Sequence, residues 1–327
     1  MKIALRHGAG GEETTKLIQE IFAAHFQNEI LNKMEDAAVL PKLEGSPVFT
    51  SDSFVVQPLF FPGGDIGKLS VCGTVNDLAC MGAKPLYLTA SFILETGLET
   101  ETLEKIVCSM EATAAEADVT IVAGDTKVVE GNGGVYINTA GIGARPANCH
   151  ISAANLRAGD AIILTGTLGD HHATILTQRL EMETALHSDC APLNRMVAEI
   201  LDAGIDVHTI RDITRGGLAT VANELAEASG CRINLKEEKL PVSEGVKGLS
   251  GILGLDPLTM GNEGKMLLAV PADEAEKALC ILQINKYGKD ACLAGEVTEG
   301  KGVFLQTILG SFRKVLPLRG EGLPRIC

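Results

Sequence analysis

Gly73-Thr74-Val75-Asn76-Asp77-Leu78-Ala79-Cys80-Met81-Gly82-Ala83-Lys84-Pro85 is the stretch on which the fold turns. It completes an apolar run with the spacing of a helix over residues 66–81, and Gly82 and Pro85 mark its end. The alternation Leu86, Leu88, Ala90, Phe92, Leu94 follows at once and reads as a strand with one buried face. A helix that hands directly to a strand belongs to an α/β layer arrangement. Working outward, Leu103, Ile106, Val107, Met110 and Ala114 mark a further helix. Strands are expected over 37–40, 48–56, 119–123 and 135–142. Near the start, Leu17, Ile18, Ile21, Phe22 and Phe26 give a helix over 12–26, opened by Gly8-Ala9-Gly10-Gly11.

Periodicity lapses over 145–160, the best place for a domain junction. A second α/β unit follows, with strands expected over 161–165, 205–210, 231–235, 265–270 and 291–297. One helix opens after Arg215-Gly216-Gly217 and another spans 273–283. The last strand-like run is 302–309. The divisions are therefore a domain over 1–147, a second over 148–309 and a tail over 310–327 that ends in Cys327. Two prolines and two glycines within 317–327 argue against a helix there, and the seventeen residues beyond Gly310 could extend roughly 55–60 Å.

Totals bound the rest. The chain has 327 residues, a length that suits two domains. A net charge of -14 argues against nucleic-acid or anionic-membrane binding, which require clustered cations. No apolar run approaches the roughly 18 residues of a bilayer span. The Met1-Lys2-Ile3 start resembles no secretion signal, so a cytoplasmic location is expected. Nine cysteines without a C-x-x-C pair read as reduced thiols.

Asp36, Asp52, Asp77 and Asp125 each follow or interrupt an apolar run, at what read as strand ends or turns. Such hard oxygens suit Mg2+, and any one of them could equally be a helix or turn cap. The glycines Gly8, Gly10 and Gly11 could offer backbone amides to phosphate, or make a plain turn. Lys127 could neutralise a phosphoryl group or be a solvated lysine. Glu263, in Asn262-Glu263-Gly264-Lys265, could serve as a base once desolvated, or belong to an ordinary polar turn. His171 and His172 are adjacent, diverge on a helix and lack zinc spacing. Cys327 is either incidental or an unhindered carrier thiol.

Asp-Ala-Ala-Val-Leu from Asp36, Thr-Ser-Asp-Ser-Phe around Asp52, the stretch quoted above, Ala-Gly-Asp-Thr-Lys around Asp125, Arg-Asp-Ile-Thr-Arg-Gly-Gly-Leu-Ala from Arg211 and the terminal Pro-Arg-Ile-Cys carry a resemblance. The sequence resembles the carbamoyl dehydratases of hydrogenase maturation, the HypE family of the aminoimidazole-ribotide-synthetase-like (PurM-like) superfamily, from Gly8 to Cys327. That resemblance implies two α/β domains, a homodimer built through the N-terminal sheets, and ATP with Mg2+ near the acidic loops. It implies Asn76, Thr126, Arg215, Gly216, Gly217 and Asn262 beside the nucleotide. It also implies that a HypF-like carbamoyltransferase loads Cys327, that the carbamoyl group is dehydrated to a thiocyanate, and that a HypC/HypD-like iron scaffold takes the cyanide. Two other readings compete: another ATP-dependent phosphoryl transferase of the superfamily, or a tail-docking module. The first cysteine is Cys72, so the N-terminal Cys expected for selenophosphate synthesis is missing.

Overall fold

The computed structural model describes residues 1–320. The first half is built on α2 (Ile66–Cys80), of which every residue except Lys68 and Asp77 is buried. A helix that is apolar on nearly all sides needs neighbours all round. Before it come α1 (Glu12–Leu17), continued by a wide π turn over Ile18–Ala23, then β1 (Ser46–Phe54) and the short ribbon β2 (Phe60–Phe61) and β3 (Gly64–Asp65). Asp65 caps α2, its carboxylate accepting from Gly67 N at 2.7 Å and Lys68 N at 3.1 Å. Gly82, at φ +68°, provides the left-handed turn that ends it.

After α2 come β4 (Lys84–Glu95), α3 (Thr100–Ala117), β5 (Thr120–Val129) and β6 (Val135–Arg145). The four long strands make one sheet in the order β1-β6-β4-β5, with β4 and β5 parallel around the α3 crossover. Leu88, Ala90 and Phe92 of β4 face the core shared with α2 and α3. The other face is uncovered and carries Phe49, 68% exposed, with Ile93, Val129 and Tyr136.

The second half runs β7 (Asp160–Leu164), α4 (Asp170–Arg179), α5 (Asn194–Asp202), β8 (Thr209–Asp212), α6 (Gly217–Ser229), β9 (Arg232–Lys236), α7 (Glu244–Leu253), β10 (Met266–Pro271), α8 (Ala275–Ile284), β11 (Cys292–Thr298), β12 (Gly302–Gln306) and β13 (Phe312–Val315). Its seven strands are ordered β13-β12-β9-β11-β7-β10-β8. Two cores lie on this sheet, one under α6 and the other under α5 and α8. Ala79 and Cys80 of α2 join the latter, so α2 ties the halves together.

Three expectations are corrected. Residues 37–40 are irregular and pair with no strand; Val39 is 81% exposed. A four-residue apolar run is too short for periodicity to identify a strand. The strand expected over 205–210 is displaced to Thr209–Asp212, with Ile205 and Val207 buried in irregular chain. The tail does not start at 310, because Phe312–Val315 pair antiparallel with β12 and bury Val315.

Candidate active site

Two cavities collect the residues of interest. The first, of 430 Å³, lies where the two halves meet and is lined by Thr50 and Asp52 of β1, Gly73 and Asp77 of α2, the 211–215 turn and Glu263. Alternation along β1 sends Val48, Thr50, Asp52 and Phe54 toward α2. Gly73 permits the close approach: a Cβ there would sit 2.7 Å from the Phe54 ring. Asp77, one helical turn on, accepts from Thr50 Oγ1 at 2.9 Å.

Burial raises the Asp77 carboxyl above its usual range, and the Asp52 charge adds to this while the Thr50 hydroxyl opposes it. Asp212, at the end of β8, is pushed up to about 6, first by burial and then by the charge of Asp77. Arg211 lines the same cavity and bonds Glu224 at 2.8 Å. Arg215 completes the cationic wall. Glu263 is buried, and its backbone amide donates to Asp189 Oδ1 at 3.1 Å. Three carboxylates, two guanidiniums and a buried glutamate thus share one chamber.

The second cavity, of 330 Å³, wraps the β5 edge and is lined by Gly8, Gly10, Asp36, Asp125, Thr126 and Lys127. Its other wall is apolar, from Ile18, Phe22, Phe26 and Ile121. An apolar slot with a charged mouth suits a base with an anionic tail. Lys127 Nζ holds both Asp125 oxygens at 2.6 Å, and this contact keeps the Asp125 carboxyl below its ordinary range.

The structure therefore divides the sequence-chosen residues. The aspartates fall into pairs, Asp52 with Asp77 and Asp36 with Asp125, and among the described residues they do not converge as one set of four ligands. Their hard oxygen chemistry fits Mg2+ in either pair. Three of the four do not sit at strand ends or turns: Asp52 and Asp125 lie inside strands and Asp77 inside α2.

The two asparagines hydrogen-bond backbone groups across the fold. Asn76 Nδ2 donates to Ala191 O at 3.0 Å and Asn76 Oδ1 accepts from Leu193 N at 2.8 Å, latching α2 to the second half. Asn262 is fully buried, accepting from Gly169 N at 2.8 Å and donating to Ile213 O at 3.2 Å. Gly11 is the N-cap of α1 and does not line the cavity. Gly216 and Gly217, at φ +80° and +62°, turn the chain into α6, and a Cβ on Gly217 would meet Leu258 O at 2.5 Å. Of Arg215, Gly216 and Gly217, only Arg215 lines the chamber.

Arg211 and Asp212 open a word quoted for the resemblance, yet neither received a site role from the sequence. Their signal was a charged pair closing a strand directly before the Arg-Gly-Gly turn. His171 and His172 are buried in α4, with pKa values lowered to about 3 and about 4, chiefly by burial. Cys327 lies outside the described residues.

The chain leaving β13 runs along α6. Asn223 Nδ2 donates to Val315 O at 3.2 Å, and Leu318 N donates to Thr220 Oγ1 at 3.3 Å. Thr220 packs on Gly216, the neighbour of Arg215.

Comparison with known proteins gives a consistent result. Residues 34–144 match AIR synthase related protein, N-terminal domain, and residues 157–308 match AIR synthase related protein, C-terminal domain. The chain is 48% identical to carbamoyl dehydratase HypE of Escherichia coli (strain K12) over 334 residues, covering 99% of both. A crystal structure of hydrogenase maturation protein HypE in complex with ATP superposes with a TM-score of 0.95 at 44% identity, covering 99% of each chain. The crystal structure of a HypE-HypF complex gives 0.81 at 48% identity, covering 92% of this chain and 99% of that one. The chain belongs to the HypE family of carbamoyl dehydratases, within the AIR synthase related proteins.

Proposed function

We propose that the protein uses ATP to dehydrate an S-carbamoyl group on Cys327 to a thiocyanate, the source of the cyanide ligands on the iron of [NiFe]-hydrogenase. The observation that carries this reading is the full-length identity to carbamoyl dehydratases, and the two charged cavities give it chemistry. The carbamoyl oxygen is a poor leaving group. Attack of that oxygen on the γ-phosphorus forms a C–O–P link and releases ADP. The C–O bond then breaks with phosphate as leaving group, two protons leave nitrogen in all, and Cys327–S–C≡N remains. Phosphoryl transfer of this kind is mostly positioning and charge neutralisation. Lys127 and a Mg2+ held by the aspartates would supply the charge, and Glu263 would take a nitrogen proton.

Tail geometry supports delivery to the chamber between the halves. Nine residues follow Leu318, a reach of at most roughly 30 Å, and Leu318 is already moored one turn from Gly216. β1 and β5 are opposite edges of one sheet, three strand spacings or roughly 14 Å apart, which separates the two charged cavities within a chain. A homodimer through the uncovered sheet face would bring one protomer's β5 edge toward its partner. That arrangement motivates the homodimer and the completion of the site in trans. A HypF-like carbamoyltransferase is the proposed donor, a HypC/HypD-like iron scaffold the proposed acceptor, and the cytoplasm the proposed location. Among the described residues no helix is long and apolar enough to cross a membrane.

Two variants test the roles. Cys327→Ser is expected to bind ATP normally and form no thiocyanate. Glu263→Gln should bind ATP and slow dehydration by roughly 100-fold or more, the typical worth of a positioned base. A wild-type rate from either removes that residue from the mechanism.

A further inference from the structure

On the outer side of the first half, α3 presents Cys108 and Glu111, three residues apart on one helical face. His25, at the end of the first helix, points at the same spot. Its Nδ1 lies 2.6 Å from Glu111 Oε2, and one ligand atom from each of the three residues lies within 4.8 Å of the other two. Neither cavity includes any of them. We propose that His25, Cys108 and Glu111 form a binding site for a thiophilic divalent cation of the zinc class, which clamps the first helix to α3.

The donor set selects the cation. Nitrogen, sulfur and oxygen ligands in threes, with a fourth position open to water, are zinc chemistry, whereas Mg2+ takes oxygen alone. Bond lengths of about 2.0–2.3 Å put tetrahedral ligand atoms roughly 3.3–3.8 Å apart. The His25–Glu111 edge, at 2.6 Å, therefore needs to open by about 0.7 Å and the widest edge, at most 4.8 Å, to close by up to about 1 Å, and the exposed side chains of Cys108 and Glu111 have the freedom to do both. On binding, the Cys108 S–H bond breaks, its electron pair stays on sulfur to bind the metal, and the proton goes to solvent. His25 binds through Nδ1, and any proton there moves to Nε2 or to solvent. Phe22 and Phe26 sit on the same segment and wall the cavity at the β5 edge, so the clamp would stiffen that wall.

Titration of the reduced, nucleotide-free full-length protein with Co2+ tests the site, since tetrahedral thiolate coordination gives an intense visible spectrum and a sulfur-to-cobalt charge-transfer band. The wild type and Cys327→Ser are expected to show both, and Zn2+ to erase them. Cys108→Ser and His25→Ala, with unchanged metal-free melting temperatures, should lose the band and bind Zn2+ at least roughly 100-fold more weakly. Zinc should also slow amide exchange over residues 18–26 in the wild type. A weak octahedral spectrum, or a band that survives Cys108→Ser, would overturn the proposal and leave only a His25–Glu111 hydrogen bond.

Discussion

Asp212 shows how a single carboxylate can trade stability for a charged chamber. Its folded pKa of about 6 lies above its ordinary 3.8, so the folded state holds the proton longer than the unfolded chain does. The stabilisation from this group is full below 3.8 and is lost as the pH rises through 6. Asp212→Asn should therefore stabilise the fold at about pH 7 by roughly 1–3 kcal/mol, since a tenfold difference in proton affinity between folded and unfolded chain is worth about 1.36 kcal/mol. Near pH 4 it should gain nothing; urea midpoints at the two pH values decide, and equal changes at both would count against the burial argument. The histidines have the opposite sign. His172 is lowered to about 4 from 6.5, so its contribution is full above 6.5 and disappears as the pH falls toward 4. Between about pH 7 and about pH 5, His172→Leu should lose about 1–2 kcal/mol less stability than the wild type. Parallel thermal-melt curves across that range would show that His172 titrates normally. The sequence singled out Asp52, Asp77 and Glu263, which the fold gathers around one chamber, because charged residues beside apolar runs stand out. Employment was not. Asn76 and Asn262 look like ligands in a chemistry-rich word, and only the packed chain shows that both amides are spent on backbone groups.

At the scale of elements, α2 and β4 were readable because long periodic runs carry a strong signal. β13 was not. Phe312-Arg313-Lys314-Val315 has one buried side chain, and its pairing with β12 depends on the turn at 307–311, where Thr307 N donates to Ser311 O at 2.8 Å. Beyond β13, α6 acts as a rail for the outgoing chain through Asn223 and Thr220. Thr220→Val removes the acceptor for Leu318 N while keeping the shape of the side chain. Dehydration in this variant is expected to slow by roughly five- to tenfold, the worth of a hydrogen bond of about 1 kcal/mol, with ATP affinity unchanged. Equal loss of ATP binding would mean that Thr220 shapes the site and does not moor the tail.

For the whole molecule, the two-sheet architecture followed from composition and order of elements, whereas the division of the charged residues between two cavities did not. That division comes from strand order: β1 and β5 follow separate stretches of sequence yet end at opposite edges of one sheet. A linear sequence does not encode that distance. It is also what motivates the proposed pairing with a second copy. The central claim, that ATP makes the carbamoyl oxygen on the terminal thiol expendable, is tested most directly by intact mass. The protein carbamoylated at Cys327 would be weighed before and after incubation with ATP and Mg2+. Loss of one water mass, located to the C-terminal peptide, is the expected result. An unchanged mass with ATP bound and the carbamoyl group in place would contradict it.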